Sequence, residues 1–125
     1  MKTEHKIICG DCINELSKLS IESVDLIVTD PPFNIGKKYN SYADNRTKDE
    51  YIKWCQEWLK ECSRLLSDKG SIYVAINDEH VAEITIILKK LGLNMRNWII
   101  WHYTFGQSMK KKFSRSHTHI VYFTK

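Results

Sequence analysis

The sequence predicts an α/β fold in which a mainly parallel sheet has helices on both faces and ends in an antiparallel pair of strands. Short β-rich runs alternate with longer runs of helical periodicity, so most successive strands need a crossover connection. Such connections produce a parallel sheet covered by helices. The last two runs have no helix between them, which predicts an antiparallel edge. With 125 residues, 42% of them hydrophobic, we expect one domain over residues 1–125.

The first part of the chain predicts two strands with a short helix between them. "KIIC" (Lys6–Cys9) has the composition of a strand, and the apolar spacing of Ile13–Leu19 indicates a helix. "VDLIVT" (Val24–Thr29) predicts the second strand. Its apolar residues occupy adjacent positions, which is typical of a strand covered on both faces.

The longest predicted helix begins at a capping box formed by Thr47 and Glu50. We expect it to end near Gly70, which can adopt the left-handed conformation common at helix ends. Asp78 is the expected cap of the next helix. The remaining predicted elements are a third strand over Ser71–Asn77, a helix over His80–Gly92, and strands over Met95–Thr104 and His117–Lys125.

The segment "DPPF" (Asp30, Pro31, Pro32 and Phe33) directly follows the second predicted strand, at the kind of position where open α/β sheets bind ligands. Each proline fixes its own backbone and keeps the preceding residue extended, so this turn is stiff. Neither proline has an N–H group, and the turn therefore offers mainly acceptors. An amino group attached to a flat ring would match these acceptors and the aromatic face beside them. The exocyclic amine of a nucleobase extruded from its duplex has this chemistry.

At these residues the sequence resembles the amino-methyltransferases of nucleic acid, in particular the DNA adenine-N6 and cytosine-N4 enzymes whose catalytic segment precedes the cofactor glycine loop. The resemblance implies a partial Rossmann-like methyltransferase sheet, S-adenosylmethionine as cofactor and DNA methylation of the restriction-modification type. It assigns Asp30 and the Pro31 carbonyl to binding the target amine beside the cofactor, with Phe33 stacking on the base. "GD" resembles the family's strand-end acid, which implies that Asp11 contacts the cofactor.

The resemblance favours adenine because the adenine-N6 enzymes usually carry an acid at the first motif position. Cytosine N4, an amino group of RNA, a glutamine amide of a protein and a noncatalytic remnant that binds nucleic acid remain open alternatives. The five glycines provide no Gly-x-Gly pattern. We therefore expect the glycine-rich loop and the target-recognition region to be absent from residues 1–125. A second polypeptide or self-association that completes the sheet is one interpretation. A truncated or frameshifted reading frame is an equally compatible alternative.

Basic residues occur in two places that could contact DNA phosphates. The first place follows the DPPF segment, and the second lies before the last predicted strand; a solvated loop is the alternative interpretation of both. The residues concerned are Lys37, Lys38, Lys110, Lys111, Lys112 and Arg115.

The cysteine and histidine pattern does not predict a metal site. Cys9 and Cys12 have the spacing of a metal knuckle, but Cys55 and Cys62 are about 10 Å apart along one predicted helix and cannot complete it. Since no run is long and apolar enough for a membrane span or a signal peptide, a cytoplasmic protein is expected.

Overall fold

The computed structural model describes residues 2–125, apart from the side chain of residue 107. It contains three helices and four strands. In chain order these are α1 (Cys12–Ser17), β1 (Val24–Thr29), α2 (Lys48–Leu65), β2 (Leu66–Ile76), α3 (Val81–Lys90), β3 (Asn94–Gln107) and β4 (Arg115–Thr124).

The four strands form one open sheet with the order β1-β2-β4-β3. β1 pairs in parallel with β2, and β4 pairs antiparallel with both β2 and β3. The α/β class and the antiparallel edge hairpin are therefore confirmed.

The prediction of a strand over Lys6–Cys9 is wrong, because these residues form no regular element and are exposed, with Ile7 98% accessible. A strand needs a neighbour for its backbone groups, and none of the described residues pairs with this segment.

The core lies between one face of the sheet and the helices. Alternate residues of β2 and β4 point to this side, and the fully buried side chains of Val74 and Phe123 belong to this set. Fully buried helix side chains there include Tyr51 and Leu59 of α2 and Leu88 of α3. α1 adds partly buried apolar residues to the same cluster.

The other face of the sheet has no helix over it within the described residues, unlike the predicted arrangement with helices on both faces. Leu26 and Val28 of β1 are 58% and 74% exposed, and Trp101 of β3 is 60% exposed. Tyr73 and Tyr122 stack between them, with ring centroids 4.4 Å apart. We call this the open face. β1 also forms one edge of the sheet, so its outer backbone groups are unpaired with any described strand.

The capping box of α2 is confirmed. The Thr47 hydroxyl accepts a hydrogen bond from the Glu50 N–H at 3.3 Å, and the Glu50 carboxylate accepts one from the Thr47 N–H at 2.9 Å. The helix then leads directly into β2 at Leu66, so the prediction that Gly70 ends it is wrong. Gly70 is buried inside β2, where a Cβ atom would lie 2.9 Å from the Leu66 side chain.

Two further features concern the segment that follows β2. His80, not Asp78, is the N-cap of α3, and it makes no side-chain capping bond. The Asp78 carboxylate instead pairs with the Arg115 guanidinium.

No helix of residues 2–125 is long and apolar enough to cross a membrane.

Candidate active site

The DPPF turn, Asp30 to Phe33, begins where β1 ends. β1 is paired with β2 up to Thr29, so the last strand residue is fixed immediately before the turn. Asp30 is exposed, and its carboxylate forms no salt bridge or side-chain hydrogen bond with any described residue. Pro31 is buried, whereas Pro32 and Phe33 are partly buried. The turn thus presents a free carboxylate on a rigid base.

Three cavities meet around this turn. The smallest, about 210 Å³, is lined by Asp30, Pro31, Phe33, Ile35, Lys37 and Tyr39. A second, about 530 Å³, lies between the turn and the β3–β4 hairpin, and Phe33 belongs to its wall as well. A third, also about 530 Å³, lies on the open face and includes Asp30. Asp30 and Phe33 are therefore each shared by two cavities.

The turn is held from the core side by Tyr51 of α2. The Tyr51 hydroxyl donates a hydrogen bond to the Pro32 carbonyl at 2.6 Å, and the side chain is fully buried. Burial is the main cause that raises the pKa of the Tyr51 phenol above its usual value. The hydroxyl therefore keeps its proton and remains a hydrogen-bond donor to the turn.

The cavity between the turn and the hairpin has an aromatic and partly polar wall. Tyr103 and Phe105 stack with ring centroids 4.8 Å apart. A Cβ on Gly106 would lie 2.7 Å from the Arg115 carbonyl oxygen, so this position of the hairpin requires glycine. The Oδ1 atom of Asn77 is buried in the same wall without a hydrogen-bond partner among the described residues. Sequence reasoning missed Asn77, although its place at the carboxyl end of β2 was a usable signal.

The predicted phosphate contacts are divided between two places. Lys37 is in the wall of the smallest cavity, and Lys38 forms an isolated backbone bridge with Ala43. Lys110, Lys111 and Lys112 are exposed in the connection between β3 and β4. Arg115 is held by its pair with Asp78 and is in the wall of the cavity beside the hairpin.

Asp11 is not brought into these cavities. It is the N-cap of α1, where its Oδ1 atom accepts a hydrogen bond from the Asn14 N–H at 3.1 Å. The expected strand before it is absent from the described residues, so nothing directs this carboxylate towards Asp30. Its role with a cofactor stays a prediction.

Cys9 and Cys12 are exposed free thiols, whereas Cys55 and Cys62 are buried. Within residues 2–125, no group of three or more potential protein ligands could hold a metal ion.

Comparison with known proteins gives a consistent result. The DNA methylase family N6_N4_Mtase matches residues 24–125. The type II methyltransferase M.HpaI of Haemophilus parainfluenzae is 38% identical over 98% of this chain and 39% of its own length. The DNA adenine methyltransferase YhdJ of Escherichia coli K12 is 36% identical over 95% of this chain and 40% of its own length.

Solved structures support the fold. The cytosine-N4-specific PvuII DNA methyltransferase has a TM-score of 0.72 at 18% identity, covering 92% of this chain and 47% of that one. TTHA0409 of Thermus thermophilus, complexed with S-adenosyl-L-methionine, has a TM-score of 0.71 at 22% identity, covering 93% and 53%. The chain thus spans about two fifths of these two sequence relatives and about half of these structures. With the family match over most of its residues, this chain belongs to the N6_N4_Mtase family of DNA methylases.

Proposed function

We propose that this chain carries the catalytic turn of an S-adenosylmethionine-dependent DNA methyltransferase that modifies the exocyclic amino group of an extruded base, with adenine N6 as the main target. The observation that carries the proposal is the free Asp30 carboxylate, held beside Phe33 at the point where cavities meet. An isolated structural acid would instead be paired or pointed away from any cavity.

The residues of the turn fit the chemistry of amine methylation. Asp30 and the Pro31 carbonyl accept hydrogen bonds from the amine and hold its nitrogen lone pair towards the methyl donor. Phe33 stacks on the base, a contact worth about 1–3 kcal/mol. When bound, the cofactor would supply an electrophilic methyl group carried on sulfur, with its thioether as the leaving group. Asp30 and the Pro31 carbonyl would hold the amine towards that methyl, and the exposed Asp30 carboxylate would pass the proton released by the methylated nitrogen to solvent. Positioning and electrostatics carry such a reaction.

The residues described here supply only part of a cofactor site. The Asp30 carboxylate is an acceptor suited to a polar part of the cofactor, while the described residues contain no glycine-rich loop of the Gly-x-Gly kind. We propose that the remaining contacts come from the glycine loop outside residues 1–125.

Adenine is favoured over cytosine by the acid at position 30 and by the similarity to an adenine methyltransferase at 36% identity. Methylation of N4 in cytosine remains the nearest alternative, and an RNA amine, a protein amide and a noncatalytic remnant are more distant ones.

A DNA substrate gives the exposed Lys110, Lys111 and Lys112 a role as phosphate contacts, with Lys37 and Lys38 nearer the turn. Cytoplasmic location stays a prediction.

We also propose that the open face and the free edge of β1 are covered in the active protein by a second polypeptide or a second copy of this chain. Exposed apolar side chains beside an unpaired strand edge favour association. The 74% exposure of Val28 is the sharpest example, since strand residues of this kind normally lie in a core.

The test is methyl transfer from labelled S-adenosylmethionine to unmethylated DNA, followed by analysis of the product nucleoside. Loss of a group that stabilises the reacting centre lowers turnover by about 10²–10³-fold, and we expect an effect of this size for Asp30→Ala. Asp68→Ala is the matched control, because Asp68 is also exposed but lies near the start of β2, at the opposite end of the sheet. In a preparation in which the unmodified chain transfers methyl groups, with a second polypeptide added if it is required, equal incorporation by Asp30→Ala would contradict the proposal.

Cofactor binding separates the remaining alternatives. Calorimetry that detects S-adenosylmethionine binding only after a second polypeptide is added would support a divided enzyme. Absence of binding under every condition would support a noncatalytic remnant.

A further inference from the structure

We propose that Asp44 is a positioning residue that fixes the backbone after Phe33 and thereby holds the DPPF turn in its reactive geometry. The inference rests on the proposed function for its catalytic consequence, while its structural basis is independent of that function. Asp44 lies ten residues after Asn34, in the polar segment between the turn and α2.

Asp44 accepts hydrogen bonds from four successive backbone N–H groups. The Asp44 carboxylate accepts hydrogen bonds from the N–H groups of Asn34, Ile35 and Lys37 at 2.9, 3.1 and 2.8 Å. The Asp44 carbonyl accepts the fourth, from Gly36, at 2.8 Å. The chain from 34 to 37 is thus wrapped around one side chain.

The charge of Asp44 is compensated by these amides. The residue is only 3% exposed and forms no salt bridge with a described residue. Hydrogen bonds to an ionised acceptor are roughly twice as strong as neutral ones, and a buried carboxylate needs several of them. Removing the carboxylate would leave up to three amides of the loop without their acceptor.

The backbone held in this way includes two residues with positive φ. Asn34 has φ of 59° and Gly36 has φ of 78°. Asparagine tolerates this region better than most residues, but a non-glycine residue there still costs free energy that its surroundings must offset. The Asn34 side chain adds two bonds of 2.8 Å with the backbone of Arg46, as acceptor from its N–H and as donor to its carbonyl. Asp44 therefore holds the backbone of residues 34–37, and Arg46 holds Asn34 a second time through its side chain.

The consequence falls on the cavity walls. Ile35 and Phe33 both line the smallest cavity and the cavity beside the hairpin. Tyr51 holds the Pro32 carbonyl from the other side of the turn. Asp44 thus holds the backbone that follows Phe33, and Tyr51 holds the Pro32 carbonyl that precedes it. The ring of Phe33 therefore has a fixed place between the two cavities. A displacement of about 1 Å at such a place can reduce turnover on the order of 100-fold.

The test uses two hydroxyl deletions and one charge deletion. Asp44→Asn removes the charge with little change of shape. Tyr51→Phe removes the bond to Pro32, and Tyr42→Phe is its matched control because the Tyr42 hydroxyl is buried without a hydrogen-bond partner in the described residues. Amide hydrogen exchange by NMR and methyl-transfer kinetics are measured on each protein.

We expect exchange at Asn34, Ile35 and Lys37 to be at least about tenfold faster in Asp44→Asn, since asparagine keeps only one, uncharged acceptor oxygen and places a donor where the other oxygen accepted. Exchange within α3 should be unchanged. The kcat should fall about tenfold or more in Asp44→Asn and Tyr51→Phe, with little change in the KM for S-adenosylmethionine and none of these effects in Tyr42→Phe.

The outcomes separate the two proposals. An unmodified chain that stays inactive even with a second polypeptide that completes the cofactor site would contradict the proposed function alone, and the Asp44 proposal would then be judged by exchange. Equal exchange of the three amides in Asp44→Asn and the unmodified chain would overturn it. Unchanged kcat in an active Asp44→Asn protein would overturn it as well. If Asp44→Asn does not fold, a kcat of Tyr51→Phe equal to that of Tyr42→Phe would overturn fixation of the turn.

Discussion

Val28→Lys is the most informative test of whether the open face is covered in the active protein. Complete burial of a valine or leucine side chain stabilises by about 1.5–3 kcal/mol. Val28 is still 74% exposed, so a partner covering it would gain about 1–2 kcal/mol at this one side chain. Lysine removes that gain and adds the cost of desolvating an ammonium group. A loss of about 2 kcal/mol or more corresponds to roughly 30-fold weaker association.

The assay is sedimentation velocity over a concentration series, with thermal unfolding monitored by circular dichroism at the lowest concentration. Ile86→Lys is the control. Ile86 is 51% exposed on the outer side of α3, so this substitution introduces the same charge away from the open face. We expect association to weaken only in Val28→Lys, while the Tm of the dilute protein is similar in all three. Equal association by Val28→Lys and the unmodified chain would refute the reasoning, and a strictly monomeric unmodified chain would contradict self-association.

Three further predictions concern stability and thiol reactivity. Phe123→Ala should lower the free energy of unfolding by about 3–5 kcal/mol in urea titrations, since this ring is fully buried between sheet and helices. Hydrogen bonds from the Thr47 N–H and hydroxyl lower the pKa of Glu50, and Thr47→Ala removes only the hydroxyl. It should reduce the Tm at pH 7 through loss of the cap acceptor, which persists at low pH, and through loss of the hydroxyl's bond to the carboxylate, a part that disappears as the pH falls through the lowered pKa. A loss of equal size at all pH values would contradict this assignment. Burial raises the pKa of Cys62 to about 12, so a thiol reagent at a pH of about 8 should modify exposed Cys9 in the native protein and Cys62 only after unfolding.

The elements predicted correctly are those whose determinants are close together in the sequence. β1 was predicted with its observed bounds because its apolar run ends at two prolines. The start of α2 was predicted because both members of the capping box lie within one turn of helix. Local chemistry decides such boundaries, and it can be read from a few residues.

The elements predicted wrongly depend on partners elsewhere in the chain or outside it. Lys6–Cys9 has strand composition, but Ile7 and Ile8 find no described strand to pair with. Gly70 has the character of a helix end, yet its small size serves a close contact with Leu66 inside β2. Asp78 had a plausible capping position, but its carboxylate pairs with an arginine 37 residues later. Composition alone does not reveal these competing partners.

The same distinction applies to the candidate site. The DPPF turn was predicted as a unit, whereas the cavity beside it combines Phe33 with Asn77 and with the hairpin residues Tyr103 and His117. Asp44 was missed because its bonding partners are backbone groups, which leave no pattern of side chains. The pair Asn34 and Gly36 was the available signal, since both residue types tolerate positive φ.

The backbone of the turn explains why its free carboxylate should select a donor ligand. Pro31 and Pro32 have no N–H group, and the N–H groups of residues 34–37 are all bonded to Asp44. Between residues 31 and 37, only Phe33 retains an N–H group outside these two sets. The turn is therefore rich in acceptors and poor in backbone donors, the reverse of a phosphate-binding loop. An amine finds acceptors there, whereas an anion meets the Asp30 charge without compensating amides. Asp44 thus favours amine binding in a second way, by occupying the donors that would otherwise attract a phosphate to the turn.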